Sequence, residues 1–174
     1  NYAIFLLIYI LTVSLVLLFP LPSSSILVFT GIFFNEVSYF INYLILNISC
    51  LMTYLLFQYL SLNKYTNISL VNNYISNHQS EITSISKTIN FALGRVLLPY
   101  SIFSYCCGYL RLDFKKYIFG NMLGVIPRTI IISSFSIGVS NIKLNNDNIF
   151  IELINDPYII LSGCALICLY IFRL

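Results

Sequence analysis

Apolar residues run through this chain in blocks divided by proline, glycine and asparagine, and the block lengths predict its elements. Residues 1–19 (NYAIFLLIYILTVSLVLLF) are almost continuously apolar, about long enough to cross a ~30 Å hydrocarbon layer as a helix. Pro20 and Pro22 end that run, since the residue before a proline is pushed out of helical geometry. The next block, SSSILVFTGIFF, is too short to span before Asn35 and Glu36 intervene. It predicts a re-entrant hairpin or an interfacial segment. Residues 37–60 are again of spanning length.

Residues 61–90 change character. Val71, Tyr74, Ile75, Ile82, Ile85 and Ile89 recur mainly at three- and four-residue steps in a polar background, the period of an amphipathic helix lying on a membrane surface. Residues 97–108 form a second short apolar block with Pro99 near its head. Asp113 is placed to cap a helix that starts FKKYIF. That helix carries Gly120 and Gly124, a small-xxx-small spacing that lets helices approach closely. It meets a break at Pro127-Arg128 and resumes as TIIISSFSIGV. A polar loop over 140–157 leads to a last spanning helix over 158–174.

The two short blocks match each other. Pro22 to Gly31 and Pro99 to Gly108 share proline, serine two residues later (Ser24, Ser101), and glycine nine residues on. Each precedes a helix of spanning length. Paired short segments interrupted by proline and glycine point to a transporter-type site built from two halves. The predicted fold is therefore an all-α integral membrane bundle, one domain over 1–174, with two opposed re-entrant loops in a pseudo-inverted repeat. Its parts are a first helix, loop and span over 1–60, the surface segment over 61–90, the second loop and proline-broken helix over 91–139, and the last span over 157–174.

Composition supports this class. The chain is 59% hydrophobic and 9% charged, with mean hydropathy +0.88, where soluble domains carry about 25% charged residues. The formal charge of +3 is too small to indicate a nucleic-acid partner, and the basic residues are better suited to setting topology. The five cysteines, Cys50, Cys106, Cys107, Cys164 and Cys168, sit in apolar surroundings, without histidine or carboxylate beside them to complete a metal site. No metal and no cofactor is expected. The single histidine, His78, lies in the polar segment, so an intramembrane hydrolase lacks its base, and the chain is read as a non-enzyme. Asn67-Ile68-Ser69 is a glycosylation sequon if that segment faces a lumen. The chain begins at Asn1 without methionine and ends inside an apolar run, so a segment of a longer protein is one reading of it.

The stretch LLPYSIFSYCCGYLRLDFKKYIFGNMLGVIPRTIIISSFSIG resembles the signature region of the DedA superfamily, also called the SNARE-associated Golgi protein or VTT-domain family. The matching positions are Pro99, Cys107-Gly108, residues 114–119, Gly120, Gly124 and Pro127. PLPSSSILVFTGIFF resembles that family's first loop. The likeness covers roughly residues 15–140. It implies two re-entrant loops and movement of lipid: phospholipid scrambling in endoplasmic reticulum or Golgi-type membranes, or carriage of a phospholipid or polyprenyl phosphate in a bacterial plasma membrane. Two departures favour the passive, eukaryotic-type branch. Arg95 precedes Pro99 by four residues rather than three, with Tyr100 and Ser101 where a second arginine would stand. The acidic pair of proton-coupled members is represented at most by Glu36.

The candidate lipid path is Arg128, Arg95, Glu36, Pro99, Ser101, Ser24, Gly31, Gly108 and Pro127, with Gly120 and Gly124 for packing. A charge at membrane depth costs about 2.5–3.5 kcal/mol on insertion scales, which a plain anchor has no reason to carry. Arg128 is expected to meet a lipid phosphate. Arg95 either lines the cavity mouth or sets topology, and Glu36 is either a partner of an arginine or an interfacial acid. Arg111, Lys115 and Lys116 are expected at headgroups. Ser23, Ser24, Ser25, Ser101 and Ser104 satisfy loop backbone or wet the path. Membrane lipids are the expected partners, with a homo-oligomer or a protein bound through residues 61–90 as a further expectation. The leading function is passive lipid scrambling through a groove between the loops. The alternatives are a membrane scaffold or organelle-shaping protein, and an ion-coupled small-molecule or polyprenyl-phosphate carrier.

Overall fold

The computed structural model describes residues 2–19, 23–62, 91–93, 95, 100–141 and 155–173. The sequence readings on Pro20, Pro22, residues 63–90 with the sequon and His78, Pro99, and residues 142–154 lie outside them. In chain order the elements are α1 (Tyr2–Val16), α2 (Ser23–Phe34), a 3-10 turn (Asn35–Val37), α3 (Ser38–Leu62), α4 (Tyr100–Tyr109), α5 (Phe114–Asn141) and α6 (Pro157–Arg173). No strand occurs among the described residues. The expectation of an all-helical chain holds.

Two helical stretches, Ser23–Ser61 and Phe114–Asn141, are long and apolar enough to cross a membrane. The first contains the 3-10 turn, so its spanning part is α3, 25 residues or about 37 Å at 1.5 Å per residue. α5, with 28 residues, reaches about 42 Å. α2 and α4, of 12 and 10 residues, reach only about 18 and 15 Å, half of a ~30 Å hydrocarbon layer. α1 is shorter than the apolar run that encodes it. Its helix ends at Val16, and Leu18 N–H and Phe19 N–H turn back to the carbonyls of Leu15 and Val16.

One expectation is corrected. α5 does not break at Pro127: the proline sits inside a continuous helix. Proline removes one N–H donor and crowds the carbonyl four residues earlier. In an apolar span the other backbone groups have no better partners than each other, so the helix continues past the lost bond.

The surface is largely apolar, and polar groups share the interior with an apolar core of residues such as Leu27, Ile41, Ile45 and Val125. Phe33, Phe40, Phe119, Leu123 and Ile167 are exposed, while Ser14, Thr30, Ser38, Asn42, Ser49, Arg95, Ser104, Asn121, Ser133, Ser134 and Ser136 are buried. A surface of this kind gains nothing in water but matches hydrocarbon. The polar groups turn inward, where they find hydrogen-bond partners.

The described residues pack as two compact units. The first comprises Asn1–Leu21 and Ile45–Val125: α1, the C-terminal part of α3, α4 and the N-terminal part of α5. The second comprises Pro22–Leu44 and Ile126–Leu174: α2, the start of α3, the rest of α5, and α6.

In the first unit, α4 ends in a Schellman turn. Leu112 N–H bonds the Cys107 carbonyl and Arg111 N–H bonds that of Gly108, with Arg111 at φ 52° in the position glycine usually takes. Asp113 then caps α5, accepting from Lys115 N–H at 3.0 Å and Lys116 N–H at 3.2 Å. This is the cap that the sequence predicts. Tyr105 Oη donates to the Leu18 carbonyl at 2.6 Å and ties α4 to the end of α1. In the second unit, α2 reaches α3 through Asn35 at φ 46°. Asp156 caps α6 by accepting from Tyr158 and Ile159 N–H groups.

Candidate functional site

Each unit contains one of the two arginines singled out from the sequence. Arg95, in the first unit, is 2% exposed. Its Nη2 donates to Ser104 Oγ and to Tyr117 Oη, each at 2.8 Å. Tyr117 Oη lies 3.1 Å from both the Cys50 carbonyl and Ser104 Oγ. The hydroxyl therefore accepts from the guanidinium and passes its own proton to α3 or α4. The guanidinium carbon stands 4.9 Å from the centre of the Phe103 ring and 5.7 Å from that of Tyr117. Tyr117 in turn stacks on Tyr54 at 4.6 Å, with the edge of Phe91 against it.

Two hydrogen bonds to a charged group contribute about 1.5–3 kcal/mol each, and a desolvated cation over a ring about 2 kcal/mol. Together these offset the cost of a charge at depth. Gly124 makes the arrangement fit. A Cβ there would lie 2.6 Å from the Ala92 carbonyl oxygen and 2.7 Å from Arg95 Cβ, so any larger residue pushes the arginine's backbone away from α5. Gly108 plays the same part on α4, where a Cβ would lie 2.4 Å from the Tyr54 carbonyl oxygen. Gly120 is buried on α5 and Ser101 is half-buried on α4.

In the second unit Arg128 is half-buried, and its Nη2 donates to Ser23 Oγ at 2.7 Å, joining α5 to the first residue of α2. Arg128 lies twelve positions beyond Lys116 in one continuous helix, a rise of about 18 Å. Further along the same helices the interior of this unit carries hydroxyls and amides. Asn42 Nδ2 donates to the Leu27 carbonyl at 3.2 Å and to Ser133 Oγ at 3.0 Å. Tyr39 Oη and Ser134 Oγ are 2.7 Å apart. α2 and α5 approach closely at Gly31, where a Cβ would lie 1.7 Å from Ser136 Oγ. Outside this interior, an apolar groove of about 340 Å³ lies between Tyr39, Phe40 and Tyr43 of α3 and Ile126, Thr129 and Ile130 of α5.

The remaining sequence candidates have definite places. Glu36 is exposed and accepts from Tyr158 Oη at 2.8 Å, so among the described residues its partner is a tyrosine and not an arginine. Tyrosine lies within reach because the 3-10 turn carries Glu36 outward while Ser38 turns in. Ser24 and Ser25 are exposed, and Ser23 alone of the three serines faces inward. Arg111 donates to Ser61 Oγ at 3.1 Å, and Lys116 pairs with Asp113 at 3.8 Å. Tyr117, Phe103, Asn42 and the serines at 133, 134 and 136 were not singled out by the sequence reading. Ser38 and Asn42, one turn apart in an apolar span, are the kind of signal that finds them. Tyr117 carries none, being one of 14 tyrosines.

A family model of the VTT domain matches residues 21–137. No curated protein and no solved structure matches the chain. The match begins at the proline-serine start of α2, takes in both short helices and both long ones, and ends within the buried serines of α5. With the largely apolar surface and two spans of membrane-crossing length, it identifies the chain as a membrane protein of the VTT-domain family, the family of DedA and the SNARE-associated Golgi proteins.

Proposed function

We propose that this protein moves phospholipid between the leaflets of a membrane without an energy source of its own. The observation that carries the reading is Arg128, a half-buried cation in mid-span, held by a serine hydroxyl in an interior lined with polar groups. A headgroup crossing hydrocarbon loses its hydration, and each unsatisfied polar group costs several kcal/mol there. A guanidinium meets the phosphate with paired donors, and hydroxyls such as Ser23 replace the lost water. The acyl chains stay in the bilayer.

The short helices support a two-loop arrangement. α2 and α4 each cover half a bilayer, and each turns into a long helix through one left-handed residue, Asn35 or Arg111, the two non-glycine residues of positive φ among those described. We read them as re-entrant and related by an internal repeat. This extends the proline, serine and glycine match of their sequences.

The test is dithionite bleaching of a fluorescent phospholipid in liposomes containing the purified protein, wild type beside Arg128→Ala. The reading expects bleaching well beyond the outer-leaflet half, slowed at least tenfold by the substitution. Bleaching that stops at half with folded wild-type protein overturns passive transport and favours a coupled carrier or a scaffold.

A further inference from the structure

We infer that the second unit holds an internal water between Ser38 and Asn42 of α3. Both residues are 0% exposed. Asn42 spends its two N–H donors on the Leu27 carbonyl and Ser133 Oγ. That fixes the orientation of the amide, since a flipped side chain would set its oxygen against a carbonyl oxygen. Among the described residues Asn42 Oδ1 then faces no hydrogen-bond donor, and Ser38 Oγ has no partner. The two residues are four apart on one helix, which brings their Cβ atoms to one face about 5–6 Å apart. On that shared face a single water can bridge the two oxygens with hydrogen bonds of ordinary length, about 2.8 Å each. Buried polar atoms in native proteins are almost always satisfied, by ordered water where the protein provides nothing.

The chemistry of the site selects its occupant. Both oxygens belong to neutral groups and one is an acceptor only, so an uncharged species with two donors fits. The first unit repeats the pattern independently. Asn121, 4% exposed, donates Nδ2 to Asn47 Oδ1 at 2.8 Å, and its own Oδ1 is likewise without a donor. In both units an asparagine uses its amine to clamp helices and leaves its oxygen for a donor. What the water does rests on the transport reading: it is the hydration that a passing ammonium or hydroxyl headgroup exchanges with. Whether the water is there is tested separately.

The experiment is magnetisation transfer from water to side-chain amides in asparagine-labelled protein in lipid nanodiscs. Asn42 is assigned from the signal that Asn42→Ser removes. Transfer to the Asn42 amide, reduced at least threefold by Ser38→Ala, is the expected result. The Ser38 hydroxyl makes no hydrogen bond among the described residues, so its loss removes a ligand of the water and leaves the helix clamp intact. No transfer to a visible Asn42 amide, together with a higher melting temperature for Ser38→Ala, overturns the inference, because removing a dry, unsatisfied hydroxyl stabilises. An Asn42 signal that shifts when sodium replaces choline, without water transfer, also overturns it in favour of a bound cation. Lipid bleaching by the same Ser38→Ala protein is read independently, so the water can stand where the transport reading falls, and the reverse.

Discussion

Both arginines donate to a serine hydroxyl, in very different surroundings. Arg95 is sealed among Phe103, Tyr117 and Ser104 with a second hydrogen bond to a tyrosine that itself reaches α3. Arg128 is half-buried, at the edge of a hydroxyl-lined interior, beside the start of α2. A guanidinium fully enclosed by rings and neutral hydroxyls acts as a strut between helices, whereas one that keeps part of its surface open can exchange a serine for a phosphate oxygen. On the proposed reading Arg95 serves stability and Arg128 meets the headgroup. The difference shows that a charge in a span is not evidence of a ligand until its enclosure is known.

The sharpest way to break the contrast is Arg95→Ala. It removes a cation bridging α4 and α5 and leaves a cavity against Phe103. We expect a loss of about 3–4 kcal/mol, read as a lower unfolding midpoint in detergent. An unchanged midpoint would end the strut assignment. The glycines come next. Gly108→Ala meets the backbone oxygen of Tyr54 at 2.4 Å, and Gly31→Ala meets the Cβ of Ser136 as well as its hydroxyl. The Ser136 hydroxyl can turn away but its Cβ cannot, so each substitution has to shift a helix and is expected to cost about 2–3 kcal/mol. An unchanged midpoint for either variant would mean that its helix pair gives way without strain. Tyr117→Phe takes away the hydroxyl that links Arg95 to the Cys50 carbonyl and keeps the ring, for about 1.5 kcal/mol. The smallest effects belong to the caps. Asp113→Ala in the first unit and Asp156→Ala in the second should each cost about 1 kcal/mol, and a larger value for one would show which unit depends more on its helix end.

Much of the fold was legible because hydrocarbon imposes simple rules. The long apolar blocks gave α3, α5 and α6 to within a few residues, and Asp113 announced the start of α5. The short blocks with proline and glycine marked α2 and α4. Pro127 misled, since proline breaks helices in water more readily than inside a span, where a continuing helix is the best available use of the backbone. The site was legible only in outline. Arg95 and Arg128 stand out against an apolar background, but nothing local says that Tyr117, 22 residues away, encloses one, or that Ser23, 105 residues away, meets the other. Glu36 illustrates the same limit. Its charge suggests an arginine partner or a place at the interface, and the turn at Asn35 leaves it exposed beside Tyr158.

The most direct test measures stability and transport on the same preparations of Arg95→Gln and Arg128→Gln, as thermal midpoint and as lipid bleaching rate per folded protein. The account predicts that Arg128→Gln keeps the wild-type midpoint and slows bleaching at least tenfold. Arg95→Gln should lower the midpoint while the fraction still folded moves lipid at the wild-type rate. The reverse pattern, with transport lost at Arg95 and untouched at Arg128, would contradict it.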